Sequence, residues 1–83
     1  MRLLYFAWVK EKTGIGAEDI DIPARVITIA DLIFWLKTRG PEFENAFASP
    51  QVVRAAIDQC HVRHDAPIRG AREIAFFPPV TGG

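Results

Sequence analysis

Ile74-Ala75-Phe76-Phe77-Pro78-Pro79-Val80-Thr81-Gly82-Gly83 closes the sequence, and its reading decides how the rest of the chain is arranged. The apolar run from Glu73 to Phe77 predicts a β-strand. Each of the two prolines after it fixes its own φ and biases the residue before it toward extended geometry, and the two glycines carry no side chain that could pack. Such an ending cannot join a core. Fully extended, the four residues beyond Pro79 span roughly 13–14 Å, enough to carry a terminal carboxylate into a narrow cleft of another protein. A frayed terminus needs neither an apolar strand nor a stiff Pro-Pro spacer.

Working back from that strand, its natural partner is the apolar run near the start. Residues 2 to 10 read as one strand, with Leu3, Tyr5, Ala7 and Val9 on one face and Leu4, Phe6 and Trp8 on the other. Both faces are apolar, which suits a central strand or one whose second face is kept for a partner. Thr13-Gly14-Ile15-Gly16 reads as a turn into a half-exposed edge strand over 17–22, where Ile20 and Ile22 alternate with Asp19 and Asp21. A helix is predicted over 28–39. Thr28 is its N-cap, Asp31 closes a capping box, and Ile27 is placed to staple onto Leu32. Ile29, Leu32, Ile33 and Leu36 form its buried stripe, which Phe34 and Trp35 widen, and Gly40-Pro41 ends it with a left-handed cap.

Phe43 and Phe47 have the spacing of a short second helical turn that ends at Ser49-Pro50. From Gln51 to Ile57 the pattern is β-like, and Asp58-Gln59 is a turn into Cys60-His61-Val62-Arg63. The order is therefore strand, strand, helix, strand, strand, strand, tail. If the first and last strands pair in parallel, the helix is the crossover between them. The expected fold is α+β: a β-grasp (ubiquitin-like) roll, a mixed sheet with one main helix packed across it. A single domain is expected over 1–83, with 78–83 as an extended C-terminal tail.

Ten basic residues balance ten acidic ones and are scattered along the chain, so no nucleic-acid partner is expected. The longest apolar run, Leu3 to Val9, is followed by Lys10-Glu11-Lys12 rather than by a cleavage site, and no run is long enough to span a membrane. With Cys60 as the one cysteine there is no internal disulfide, and a cytoplasmic location is expected.

Cys60, His61, His64 and Asp65 are residue types that hold metals or act as nucleophiles and bases. In an extended segment, however, Cys60 and His61 point to opposite faces, as do His61 and His64. The expectation is no metal, with a half-buried thiol beside surface histidines. The sequence has no glycine-rich phosphate loop, Cys-x-x-Cys pair or serine elbow. What remains is the terminal carboxylate, a poor electrophile that a partner can activate as an acyl-adenylate. Unbranched glycines leave its carbonyl open to attack.

On the residues Ile74 to Gly83, and on Tyr5-Phe6-Ala7-Trp8-Val9-Lys10-Glu11 through Gly14, the sequence resembles the small-subunit family of molybdopterin synthase, the sulfur carriers of molybdenum-cofactor biosynthesis. The resemblance extends over nearly the whole chain. It implies that the Gly83 carboxylate, at the end of Thr81-Gly82-Gly83, is adenylated by an activating enzyme similar to the ubiquitin-activating kind. That enzyme uses ATP, and the carrier itself binds no cofactor. A sulfur-donating enzyme then provides the thiocarboxylate. The tail enters the large synthase subunit, in an implied heterotetramer of two small and two large subunits, and sulfur passes to a cyclic pyranopterin monophosphate.

The family docks through an apolar sheet face, and the matching positions are Phe6 and Phe77, with Pro78 and Val80 leading into the pocket. Read from the residues alone, Phe6 and Phe77 suit core as well as docking. Three departures bear on partner contact. His61 stands where an apolar residue is expected, Lys10 replaces an arginine, and Gly70-Ala71-Arg72 replaces an acidic turn. The resemblance leaves other readings open: a sulfur carrier for thiamine or a thio-nucleoside, a ubiquitin-like protein modifier, or a binding module whose tail is incidental.

Overall fold

The computed structural model describes residues 1–79. Its sheet has five strands: β1 (Arg2–Tyr5), β2 (Ala17–Asp19), β3 (Arg54–Ile57), β4 (Cys60–Val62) and β5 (Glu73–Phe77). Their spatial order is β2-β1-β5-β3-β4, so the last strand of the chain lies in the middle. It pairs in parallel with β1, Tyr5 opposite Phe76, and antiparallel with β3, Ala55 opposite Phe76. The expected parallel pairing of first and last strands is present, and with it the β-grasp arrangement. Parallel neighbours need a long crossover, and that crossover contains the helix α2 (Ile29–Leu36).

α2 forms for the reasons its sequence announces. The Thr28 hydroxyl accepts from the Asp31 backbone N–H, and the Asp31 carboxylate accepts from the Thr28 N–H, completing the capping box. Ile29, Leu32, Ile33 and Leu36 are buried at helical spacing. The last turn, Lys37–Arg39, tightens to 3-10 geometry before Gly40. Gly40, at φ 147° and ψ 169°, is not the expected left-handed cap but the N-cap of a further helix, α3 (Pro41–Ala46), with Pro41 in its first turn. Two other expectations fail on the outer side of α2. Phe34 is 74% exposed and Ile27 60%, so the stripe is widened only by Trp35, partly buried against the core, and no buried staple is formed.

The larger correction concerns residues 2 to 10. The strand stops at Tyr5, and Ala7–Thr13 is a helix, α1. Ala7 has φ 53°, a left-handed conformation that turns the chain off the sheet. The helix buries Val9 and Thr13, one turn apart, and Gly14 caps it at φ 85°, its N–H bonding the Lys10 carbonyl at 2.9 Å. The unbroken apolar run from Leu3 to Val9 hid this, because Val9 suits the core face of a strand or of a helix. The edge strand is also shorter than expected, ending at Asp19, and Gln51–Val52 lies in a 3-10 turn rather than in β3.

The core lies between the helices and one face of the sheet. Tyr5, Phe43, Phe47 and Phe76 form its aromatic centre, with edge-to-face contacts at 5.2–6.5 Å and Tyr5 stacked on Phe76 at 6.1 Å. The Tyr5 hydroxyl donates to Glu18 at 2.7 Å, and the same carboxylate takes both Arg39 Nη atoms at 2.6 and 2.9 Å. This ties β1, β2 and the end of α2 into one polar cluster. Burial pushes the Glu18 carboxyl up, but the hydrogen bonds from Arg39 and Tyr5 outweigh it and hold it below the ordinary carboxylate range. Burial, then the bond to Glu18, pushes the Tyr5 phenol well up and keeps it protonated.

Candidate functional site: the outer sheet face and the tail root

The second face of the sheet has no helix on it. By the strand register it carries Leu4 on β1, Ala75 and Phe77 on β5, Ala56 and Arg54 on β3, and His61 on β4. Phe6, the residue after β1, continues that face. Its N–H bonds the Phe76 carbonyl at 3.0 Å, it keeps extended geometry, and it is 47% exposed. Phe77 is half-buried, and the His61 ring lies 5.0 Å from it. Of the expected docking residues, the fold therefore brings Phe6, Phe77 and His61 onto one face, with Pro78 and Pro79 half-buried where it ends.

Phe6 reaches this face because of Ala7. Had the strand run on to residue 10, Trp8 would have extended the same apolar row; the left-handed turn stops the row at Phe6. Lys10 is exposed on α1 rather than on a strand, and its side chain lies against Gly16. Val80, Thr81, Gly82 and Gly83 lie outside the described residues, so the structure is described up to the root of the tail.

That root is firmly held. β5 is hydrogen-bonded on both sides, Ile74 and Phe76 are fully buried beneath it, and Phe77 is paired with Arg54. The hairpin beside it turns through Asp58 and Gln59, both with positive φ (48° and 72°), as a tight two-residue turn requires. The Asp58 carboxylate accepts from the backbone N–H groups of Arg72 and Glu73 at 3.0 and 2.9 Å, fixing the start of β5. A strand clamped at its start and on both edges fixes the direction in which the chain leaves the sheet at Pro78.

The Cys60, His61, His64, Asp65 group does not converge. Cys60 is exposed rather than half-buried, and His61 leans on Phe77. His64 Nε2 lies 2.8 Å from the Val53 carbonyl and, since a carbonyl only accepts, carries the proton. Among the described residues no three His, Cys, Asp or Glu side chains are grouped to hold a metal ion. No helix of the described residues is long and apolar enough to cross a membrane. Sequence reasoning missed Arg54 and Arg63, which share with His61, Phe77 and Pro79 an open concavity at the tail root. Their alternation with Ala55 and Val62 was the available signal.

The sequence matches the ThiS family over residues 3–83. It is 33% identical over 85 residues to the molybdopterin synthase sulfur carrier subunit of Escherichia coli (strain K12), spanning 100% of this chain and 99% of that protein. It is 34% identical over 84 residues to the subunit of the same name from Dictyostelium discoideum, spanning 99% and 94%. In fold it is similar to SAMP1 from Haloferax volcanii, with a TM-score of 0.71 at 21% identity over 100% of this chain and 98% of that one. With a match that runs from the first strand through the last glycine, the chain belongs to the ThiS family.

Proposed function

We propose that this protein is the sulfur carrier subunit of a molybdopterin synthase, working in the cytoplasm with the Gly83 carboxylate as its functional group. The observation that carries the reading is the full-length match to carrier subunits, which extends to the tail. The geometry supports it, because the central strand points out of the sheet beside an uncovered apolar face. In the proposed cycle a carboxylate oxygen of Gly83 attacks the α-phosphorus of ATP in an activating enzyme, and pyrophosphate leaves. The outer sulfur of a persulfide on a sulfur-donating enzyme then attacks the acyl carbon and displaces AMP, giving an acyl disulfide. A thiol of the donor attacks the donor-side sulfur, the S–S bond breaks, the thiocarboxylate leaves and a disulfide remains on the donor. The large subunit, in a heterotetramer of two small and two large chains, receives the tail. There the anionic, polarisable sulfur is transferred to a cyclic pyranopterin monophosphate.

On this reading the chain holds and presents the reacting group, and the catalytic side chains belong to its partners. Phe6, Phe77, Pro78 and Val80 provide the apolar contact, with His61 and Lys10 at its margin. The test is the intact mass of the protein and of its C-terminal peptide after incubation with activating enzyme, ATP and a sulfur donor. An oxygen-to-sulfur mass increase confined to that peptide is expected. Absence of the increase, or Gly-Gly remnants on lysines of other proteins in its place, would overturn the carrier reading in favour of none or of a protein modifier.

A further inference from the structure

At its tail-root end the rim of the outer face is charged in one sign. Arg54 stands opposite Phe77 in the β3–β5 register. Ala55 pairs with Val62 and Ala56 with His61, so Arg63 follows on β4's side of the same ladder, next to Arg54. Both arginines and His61 are exposed. They line the concavity that ends at Pro79, and the two arginines line the adjoining one with Gln51 and His64; neither lining includes a carboxylate. Among the described residues the salt bridges are Arg2–Asp19 and Arg39–Glu18, so Arg54 and Arg63 have no acidic partner there. Two cationic residues at neighbouring positions of the ladder repel each other, in a chain whose net charge is zero. The arrangement is therefore a local concentration of positive charge at the tail root and not a reflection of overall basicity.

We infer that the protein surface receiving this face carries carboxylates opposite Arg54 and Arg63, flanking an apolar socket for Phe77. The inference rests on the carrier reading above, which makes that surface the one beside the cleft the tail enters. Three features favour a protein over a polyanion. The cations adjoin a continuous apolar row, Phe77, Ala75, Leu4 and Phe6; the basic cluster is small; and the chain as a whole is neutral. Planar guanidinium forks suit bidentate pairing with carboxylates. The two parts of the face then divide the work of docking. Arg54 and Arg63 steer the approach and set its orientation, whereas Phe77 governs how long the complex lasts.

The experiment measures association and dissociation of full-length protein with the large synthase subunit from the same organism, across a series of salt concentrations. For the wild type, association slows as salt rises while dissociation changes little. Arg54→Glu/Arg63→Glu is expected to slow association about tenfold to a hundredfold at low salt and to reverse the salt trend. Arg54→Gln/Arg63→Gln should flatten the trend, whereas Phe77→Ala should speed dissociation and leave the salt trend as in the wild type. Unchanged thermal midpoints in the arginine variants exclude misfolding, since both positions are exposed. Wild-type rates and salt trend in both arginine variants would overturn this inference alone. So would binding of single-stranded DNA or anionic vesicles that is lost in the Glu variant while its rate with the large subunit is unchanged. A wild type that does not bind the large subunit at all would overturn the carrier reading and this inference with it.

Discussion

The two faces of the sheet are built from alternate residues of the same strands, yet they are finished differently. On one face Leu3, Tyr5, Ile74 and Phe76 are no more than 1% exposed, sealed by α2 and α3. On the other, Leu4, Ala75 and Phe77 are half-covered, Phe6 is nearly half exposed, and no helix lies over them. Hydrophobicity alone does not separate the faces; coverage does. The covered face carries the stability of the fold, and the uncovered face leaves apolar area in solvent, the area that the proposed carrier role assigns to a partner.

Adjacent phenylalanines give the largest test of that contrast. Phe76→Ala removes a ring packed on Tyr5 and Phe47 and is expected to cost about 3–5 kcal/mol in denaturant unfolding. Phe77→Ala is expected to cost less than about 1 kcal/mol, with its effect appearing in partner dissociation instead. Equal losses of stability would break the distinction between the faces. Next in size is the clamp that orders β5 between them. Asp58→Ala removes the acceptor of two backbone N–H groups and places alanine at φ 48°, for an expected loss of about 2 kcal/mol. Asp58→Asn, which tolerates the left-handed geometry and keeps one acceptor oxygen, should recover most of it.

Much of this was legible in the sequence because local signals and tertiary demands agree. The Thr28–Asp31 box, the Ile29/Leu32/Ile33/Leu36 stripe and the Asp58-Gln59 turn each have one physical solution, and each is present in the structure. Residues 7–13 misled because the continuous apolar run from Leu3 reaches Val9 without a break while the backbone turns at Ala7. The competing signal was Val9 and Thr13 at i, i+4 ahead of Gly14, among good helix formers. The Tyr5–Glu18–Arg39 cluster was not readable, since residues 13 and 21 positions apart meet only through the completed fold. Phe34 misled by its hydrophobicity alone, since the 3.6-residue period already places it across the helix from the Ile29/Leu32/Ile33/Leu36 stripe, on the solvent side of α2.

That cluster offers a third test, again comparing an inner-face charge with an outer one. Glu18 is held below its usual range in the folded state by Arg39 and Tyr5, against the opposing effect of burial. A depressed folded value means that the stabilisation is fully present above the unfolded carboxyl value, near 4.5, and is lost as pH falls through the folded one. Thermal midpoints should therefore fall on acidification below about pH 4.5, with a weaker fall in Glu18→Gln. At neutral pH Glu18→Gln should cost about 1–2 kcal/mol, because Arg39 and Tyr5 lose a shared ionised acceptor. The outer Arg2–Asp19 pair, at 3.6 Å and largely in solvent, should lose less than about 0.5 kcal/mol in Asp19→Asn.

A comparably small effect is expected at the point where the two faces part. Ala7 holds φ 53°, a conformation that costs an L-residue roughly 1–2 kcal/mol relative to the right-handed region. Glycine removes that cost but adds conformational freedom to the unfolded chain, worth roughly 0.5–1 kcal/mol. Ala7→Gly should thus raise stability by about 0.5 kcal/mol, and Ala7→Val, branched at Cβ, should lower it. The sign matters more than the size. If the turn at Ala7 is what ends the apolar row at Phe6, a residue that adopts the turn more easily must stabilise the fold without altering partner dissociation. A destabilised Ala7→Gly would instead mean that packing of the Ala7 methyl, and not the backbone turn, holds α1 off the sheet.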